Sequence, residues 1–182
     1  MNFTDNIIRK SSGKNDECYT YRYAVEPLLE FLEPFKGQTI WCPFDKEESE
    51  FVKVLKEHGH EVVYSHIDNG QDFYTFEPEH FDLIVSNPPF TNKTEMFKRI
   101  LSFKKPFAIL MSILYLNDNQ PFELFKNEEL QLLMFNKRME FKNQSVENKI
   151  SFKSAYYCKD FLPEQIVWRT IERTKHDRTL CN

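Results

Sequence analysis

A chain of 182 residues, 41% hydrophobic and 29% charged, is long enough for one domain with its own core and too apolar for intrinsic disorder. A formal net charge of −4 excludes a uniformly basic nucleic-acid binder, so a polyanion would have to meet a local basic patch. Cys18, Cys42, Cys158 and Cys181 form no C-x-x-C pair, which argues against a metal site and for free thiols; with no apolar run of signal-peptide or membrane length at the N-terminus, a cytoplasmic protein without a membrane partner is expected.

Residues 1–18 are polar, carry Ser11-Ser12-Gly13, and are expected to form a flexible arm. Residues 22–34 follow a helical pattern with Val25, Leu28, Leu29 and Leu32 on one face, ended by Pro34 and Gly37. Thr39-Ile40-Trp41-Cys42 reads as a buried strand. Residues 47–58 read as a helix closed by Gly59, with Ser49 inside it rather than at its cap. A strand over 61–66 follows, then the turn Asp68-Asn69-Gly70. Residues 81–86 form a strand running into Asn87, residues 93–103 a helix, and residues 107–111 a further strand. Strands are expected at 130–135 and 138–141, with 151–158 as the second arm of a hairpin. Residues 116–129 read as a loop and 164–173 as a short helix. This alternation predicts an α/β fold: a mostly parallel sheet with a C-terminal antiparallel hairpin and helices on both faces, in one domain over 19–175 with a tail at 176–182.

The residues that carry chemistry are Asn87-Pro88-Pro89-Phe90. In open α/β sheets, ligands bind outside the carboxyl ends of the strands, and this tetrapeptide follows an apolar strand directly. Two consecutive prolines fix φ and stiffen the loop. An exocyclic amine is a poor nucleophile because its lone pair is delocalised into the ring. An Asn87 side-chain oxygen and a Pro88 carbonyl would accept its two N–H bonds and favour a tetrahedral nitrogen, on which positive charge develops during alkyl transfer. Phe90 would stack on the face of a base.

Residues 81–90 resemble motif IV of the amino methyltransferases, which carry (D/N/S)-P-P-(Y/F/W); the form with Asn and Phe is typical of N6-adenine methylation. Other segments match in order. Cys18-Tyr19-Thr20 before a helix resembles the N-terminal cofactor motif of these enzymes, usually Tyr-Thr-Pro, with Tyr21 where proline is usual. Residues 39–45 sit where motif I belongs. Gly70-Gln71-Asp72-Phe73 resembles the segment whose acid contacts the cofactor adenine. Arg138-Met139-Glu140-Phe141 with Phe152-Lys153-Ser154 resembles the hairpin that closes over the target base. The whole is similar to small phage- or prophage-type N6-adenine DNA methyltransferases. That resemblance implies a Rossmann-like class I methyltransferase domain, S-adenosylmethionine as cofactor, no metal, and adenine in nucleic acid as substrate. DNA is favoured, flipped or single-stranded, and oligomers are compatible.

The resemblance implies Tyr19, Thr20, Pro43, Phe44, Asp45, Asp68, Asp72, Phe73 and Asn87 as cofactor contacts. It implies Phe90, Lys93, Arg138, Phe141 and Ser154 on the substrate side. The loop Cys42-Pro43-Phe44-Asp45-Lys46 departs from motif I because it has no glycine to let backbone approach the cofactor. Asp45 or Glu47 would then meet the cofactor ammonium, and Asp68 the ribose hydroxyls. Asp68 is equally read as a turn starter, Phe73 and Phe141 as core residues, and the basic residues around Lys93 and Arg138 as a solvated face. Three functions stay open: an adenine methyltransferase on DNA or RNA, a methyltransferase for a protein glutamine amide, and a degenerate methyltransferase fold that binds or inhibits without turnover.

Overall fold

The computed structural model describes residues 18–89, 91–143 and 150–172. The expected arm, apart from Cys18, and Phe90 lie outside the described residues, as do 144–149 and 173–182. Strand β1 is Cys18–Thr20. A run of short helical turns follows: α1 (Arg22–Val25), a 3-10 turn (Glu26–Leu28), α2 (Leu29–Leu32) and a second 3-10 turn (Glu33–Phe35). The expected single helix is broken because Pro27 and Pro34 donate no N–H and crowd the preceding turn. Then come β2 (Thr39–Cys42), α3 (Glu50–Glu57), β3 (Glu61–Tyr64), a 3-10 turn (Ile67–Asn69) and β4 (Leu83–Ser86). The second half holds α4 (Lys93–Ser102), β5 (Phe107–Ser112), a 3-10 turn (Ile113–Tyr115), α5 (Asn119–Phe125) and β6 (Gln131–Phe135). It closes with β7 (Met139–Asn143), β8 (Ile150–Phe152), β9 (Ser154–Lys159) and β10 (Ile166–Arg169).

The main sheet has seven strands in the order β10-β6-β9-β5-β4-β2-β3. All are parallel except β9, which runs against β5 and β6. Side chains alternate across a strand, and the core divides accordingly. Ile40, Cys42, Leu83, Val85, Ala108, Leu110, Tyr156 and Cys158 face the helices α1 to α3. Trp41, Ile84, Phe107, Ile109, Met111 and Tyr157 face α4 and α5, meeting Met96, Phe97, Ile100 and Phe125. Helices therefore cover both faces of the sheet. Burial on both faces is why the central strands read as continuous apolar runs rather than alternating ones.

Three sequence expectations are corrected here. Residues 151–158 are not one hairpin arm but two strands: β8 pairs with β7 in a separate sheet of order β1-β7-β8, and the chain then passes into the main sheet as β9. The expected C-terminal helix over 164–173 contains β10, parallel to β6, with Val167 buried and Ile166 and Trp168 exposed. The expected loop over 116–129 contains α5, started by Asp118, whose carboxylate accepts from the Asn119 N–H at 2.6 Å. Among the described residues, no helix is long and apolar enough to cross a membrane.

Candidate active site

The chain leaves β2 for β3 on one side, then returns to place β4 on the other side of β2. Such a reversal opens a crevice at the carboxyl ends of the two strands, the usual ligand position in open α/β sheets. Residues Pro43, Phe44 and Asp45 leave β2 at that end, and Asn87 leaves β4 beside them. The small sheet lies at the same end, because β7 follows the carboxyl end of β6 and β8 leads into the start of β9.

Asn87 is half-buried, and its Nδ2 donates to the Thr20 hydroxyl at 3.0 Å. With the amide nitrogen turned to Thr20, the carbonyl oxygen is the end Asn87 presents as an acceptor. Two segments 67 residues apart, each singled out in the sequence, thus meet in one contact. Thr20 is itself held by the pairing of β1 with β7, opposite Phe141. Tyr23 adds a clasp: its hydroxyl accepts from the Glu140 N–H at 2.8 Å. Pro88 is buried and Pro89 exposed.

The glycine-free loop is held by serines. Its backbone extends the ladder of β2 and β3: the Ser65 N–H donates to the Cys42 carbonyl at 3.1 Å, and the Asp45 N–H to the Ser65 carbonyl at 3.2 Å. Ser65 Oγ accepts from the buried Trp41 indole N–H at 3.0 Å and donates to the Pro43 carbonyl at 3.4 Å. Asp45 is 6% exposed. One of its oxygens accepts from Ser49 Oγ at 2.5 Å and the other from Ser86 Oγ. Burial pushes its carboxyl up to about 6, even though both hydroxyls pull the other way. Ser49 occupies the N-cap position of α3, not its interior, and turns its hydroxyl to Asp45 instead of capping the helix.

The remaining expected cofactor contacts fall as follows. Asp68 is exposed and pairs with Lys46 at 2.6 Å, which holds its carboxyl below the usual range. Asp72 Oδ1 accepts from the Tyr74 N–H at 3.0 Å and so shapes its own turn. Phe73 is 2% exposed, with Phe44 and Trp41 against it at ring distances of 4.7 and 5.6 Å. Tyr19 lies in β1, opposite Lys142 of β7.

On the expected substrate side, Phe141 is 2% exposed and packs on Phe152 at 5.7 Å. Its ring lies in the core, not at an open mouth. Ser154 is buried opposite Ser112, at the carboxyl end of β5. Arg138 is exposed on the segment between β6 and β7. Lys93 Nζ lies 5.6 Å over the Tyr115 ring. Tyr115 also contacts Thr94 at 3.2 Å, and Thr94 donates to Gln120 at 2.8 Å, which ties α4 to α5. Ser86, Ser65 and Gln120 were not singled out from the sequence. A lone serine carries no pattern, and only the adjacency of β2 and β4 gives Ser86 its partner.

No protein-family model and no curated protein sequence matches the chain. Among solved structures, the chain is similar to a Listeria monocytogenes protein assigned to the class I S-adenosylmethionine-dependent methyltransferases. The identity is 14% and the TM-score 0.47, over 94% of this chain and 75% of that one. It is also similar to phosphoethanolamine N-methyltransferase 2 of Haemonchus contortus, solved with phosphomonomethylethanolamine and S-adenosylhomocysteine. Here identity is 12% and the TM-score 0.37, over 80% of this chain and 39% of that one.

Proposed function

We propose that the protein transfers a methyl group from S-adenosylmethionine to the exocyclic N6 amine of adenine in nucleic acid, DNA in the first instance. The observation that carries this reading is the contact between Asn87 and Thr20 at the carboxyl end of β4. It joins the segment that resembles a cofactor motif to the one that resembles an amine-binding motif. The mostly parallel sheet with helices on both faces fits the Rossmann-like domain that the resemblance implies and supports the same reading.

In this mechanism the target adenine leaves the base stack, at a cost of a few kcal/mol, or arrives single-stranded. Its N6 donates to Asn87 Oδ1 and to the Pro88 carbonyl, which draws the nitrogen toward tetrahedral geometry. S-adenosylmethionine, when bound, would supply an electrophilic methyl group to that nitrogen and depart as the thioether. The proton lost from nitrogen passes to solvent. Thr20 orients the Asn87 amide. Phe90 supplies a ring for stacking, while Lys93 and Arg138 supply phosphate contacts. Pro43, Phe44, Asp68 and Asp72, on the segments that follow β2 and β3, would hold the cofactor, with Asp45 anchoring the first of these loops.

Two observations favour a second reading. The acid expected at the ribose is already paired to Lys46, and the cofactor loop has no glycine. Both fit a degenerate methyltransferase fold that binds or inhibits without turnover.

The deciding experiment is transfer of labelled methyl from S-adenosylmethionine to DNA, RNA and protein lysate, with calorimetry of cofactor binding alongside. Transfer to adenine that disappears in Asn87→Ala is the expected result. Label in protein but not nucleic acid would redirect the reading to an amide substrate. No binding at millimolar cofactor would leave the second reading standing.

A further inference from the structure

The crevice between β2 and β4 is bridged by a single carboxyl group. Asp45 comes from the loop after β2, Ser49 from the start of α3, and Ser86 is the last residue of β4. Both serine hydroxyls point inward to the same carboxylate, one on each oxygen. Ser86 is fully buried and immediately precedes Asn87. The chain therefore carries an unbroken series of contacts from Ser49 through Asp45 to Ser86, then across one peptide bond to Asn87 and on to Thr20.

The geometry points to Asp45 as a positioning residue rather than a cofactor ligand: its carboxylate, gripped by Ser49 and Ser86, fixes the end of β4 and so holds Asn87 against Thr20 in the orientation that accepts an amine. The inference rests on the proposed role of Asn87 as that acceptor. A carboxylate with both oxygens taken by hydroxyls and 6% exposure is poorly placed to meet a cofactor ammonium as well. Burying it costs free energy, and a buried charge with no cation beside it needs compensation elsewhere. The ionisable groups that face it are the Cys42 thiol on β2 and the Tyr156 phenol on β9, both neutral and both pushed up by burial. Lys46, the nearest cation in sequence, turns to Asp68. The hydroxyl pair is therefore what supports the charge. The carboxylate in turn joins the two halves of the sheet at the place where a glycine-rich turn would otherwise lie against a ligand.

The test compares the full-length protein with Asp45→Asn, Ser86→Ala and the milder Ser49→Ala, using Thr20→Val as a benchmark for a lost Asn87 tether. The first readout is solvent exchange of the Asn87 side-chain amide protons by NMR, assigned by their loss in Asn87→Ala. The second is the split between kcat for methyl transfer and the calorimetric Kd for S-adenosylmethionine. Expected are a severalfold faster amide exchange in Asp45→Asn and Ser86→Ala, approaching Thr20→Val, and a kcat about tenfold lower with Kd within threefold. Ser49→Ala, at a half-buried site, should fold even if Ser86→Ala does not, and shows a smaller change in the same direction. Unchanged exchange in every variant would overturn the inference. So would a Kd that weakens in step with kcat, because Asp45 would then be a cofactor contact. Should the wild type transfer no methyl while the exchange responds as described, the brace stands and the methyltransferase reading falls.

Discussion

Replacing Asp45 by asparagine should change how stability depends on pH more than it changes stability at any one pH. In the native protein the Asp45 carboxyl titrates near 6, against an ordinary value of 3.8. Between those two values the folded state holds a proton that the unfolded state has released, so wild-type stability falls as pH rises through this window and levels off above it. With each pH unit worth about 1.4 kcal/mol, the loss contributed by Asp45 is about 3 kcal/mol in total. The opposite slope comes from carboxyls held low in the fold. Asp82 accepts from the Thr39 backbone N–H, and Glu30 pairs with Arg169; each adds stability that disappears as pH falls. Those groups are present in both proteins and cancel in the difference. The amide that replaces the carboxyl in the variant has no proton to release. The stability of Asp45→Asn relative to wild type should therefore rise by about 2 kcal/mol of that total from pH 4 to pH 7, whatever its absolute offset. In a domain of this size that corresponds to roughly 4–8 °C in relative Tm. Urea unfolding of both proteins at half-unit pH steps measures it. Parallel curves for the two proteins would refute the argument, since they would mean that Asp45 ionises at an ordinary pH and is not buried among hydroxyls as described.

Asn87→Ala should lower methyl transfer by about 10²–10³-fold or more while cofactor affinity stays within a few-fold, as for loss of a contact made to the reacting group; an intact rate in the labelled-methyl assay would remove Asn87 from the chemistry. Ser65→Ala leaves the buried Trp41 indole N–H without its acceptor and should cost about 1–3 kcal/mol in denaturant unfolding. Replacing Lys93 or Arg138 by Gln should weaken DNA binding across sequences and reduce the salt dependence by about one unit each, measured by fluorescence anisotropy over a salt series. Lys46→Ala releases the exposed Asp68 carboxylate. If Asp68 serves the ribose, calorimetry should show cofactor affinity rising by up to about fivefold, the limit set by the strength of an exposed ion pair; a fall would assign Lys46, not Asp68, to the ligand.

The sequence made the centre of the sheet legible and its margins less so. Strands β2, β4 and β5 are apolar on both faces, and β4 ends on Asn-Pro-Pro, so both the strand and the loop announce themselves. At the edge the signal inverts. In β10 only Val167 faces the core, and the exposed Ile166 and Trp168 look like buried positions of a helix until the partner strand is known. Helix α5 buries only Pro121 and Phe125, too few positions to show a 3.6-residue period, and Asp118 as a cap was its only clear mark. Phe73 and Phe141 share a different difficulty. In a chain with 18 phenylalanines, a ring that stacks on a ligand and a ring that fills the core are written with the same letter. Thr20 and Asn87 are each marked by a resemblance, but their direct contact, like the grip of Ser86 on Asp45, depends on which strands lie side by side, and no local pattern encodes it.

The absence of glycine in the loop after β2 follows a consistent physical logic. A glycine-rich turn there keeps its amides unpaired and its backbone bare so that a ligand can lie against it. In this chain the loop runs on as ladder: the Asp45 N–H is used by the Ser65 carbonyl, and Ser65 itself is anchored by Trp41. Backbone donors engaged in the ladder are not offered to a ligand. The proposed binding in the crevice would then draw on side chains, among them Thr20 and Asn87, which already meet at the end of β4. Side-chain recognition of that kind leaves affinity sensitive to the orientation of a few groups, and setting orientation at the end of β4 is the role inferred for the carboxylate between Ser49 and Ser86. The same glycine-free loop that engages its backbone in the ladder thus sets a buried acid at the switch point of the sheet.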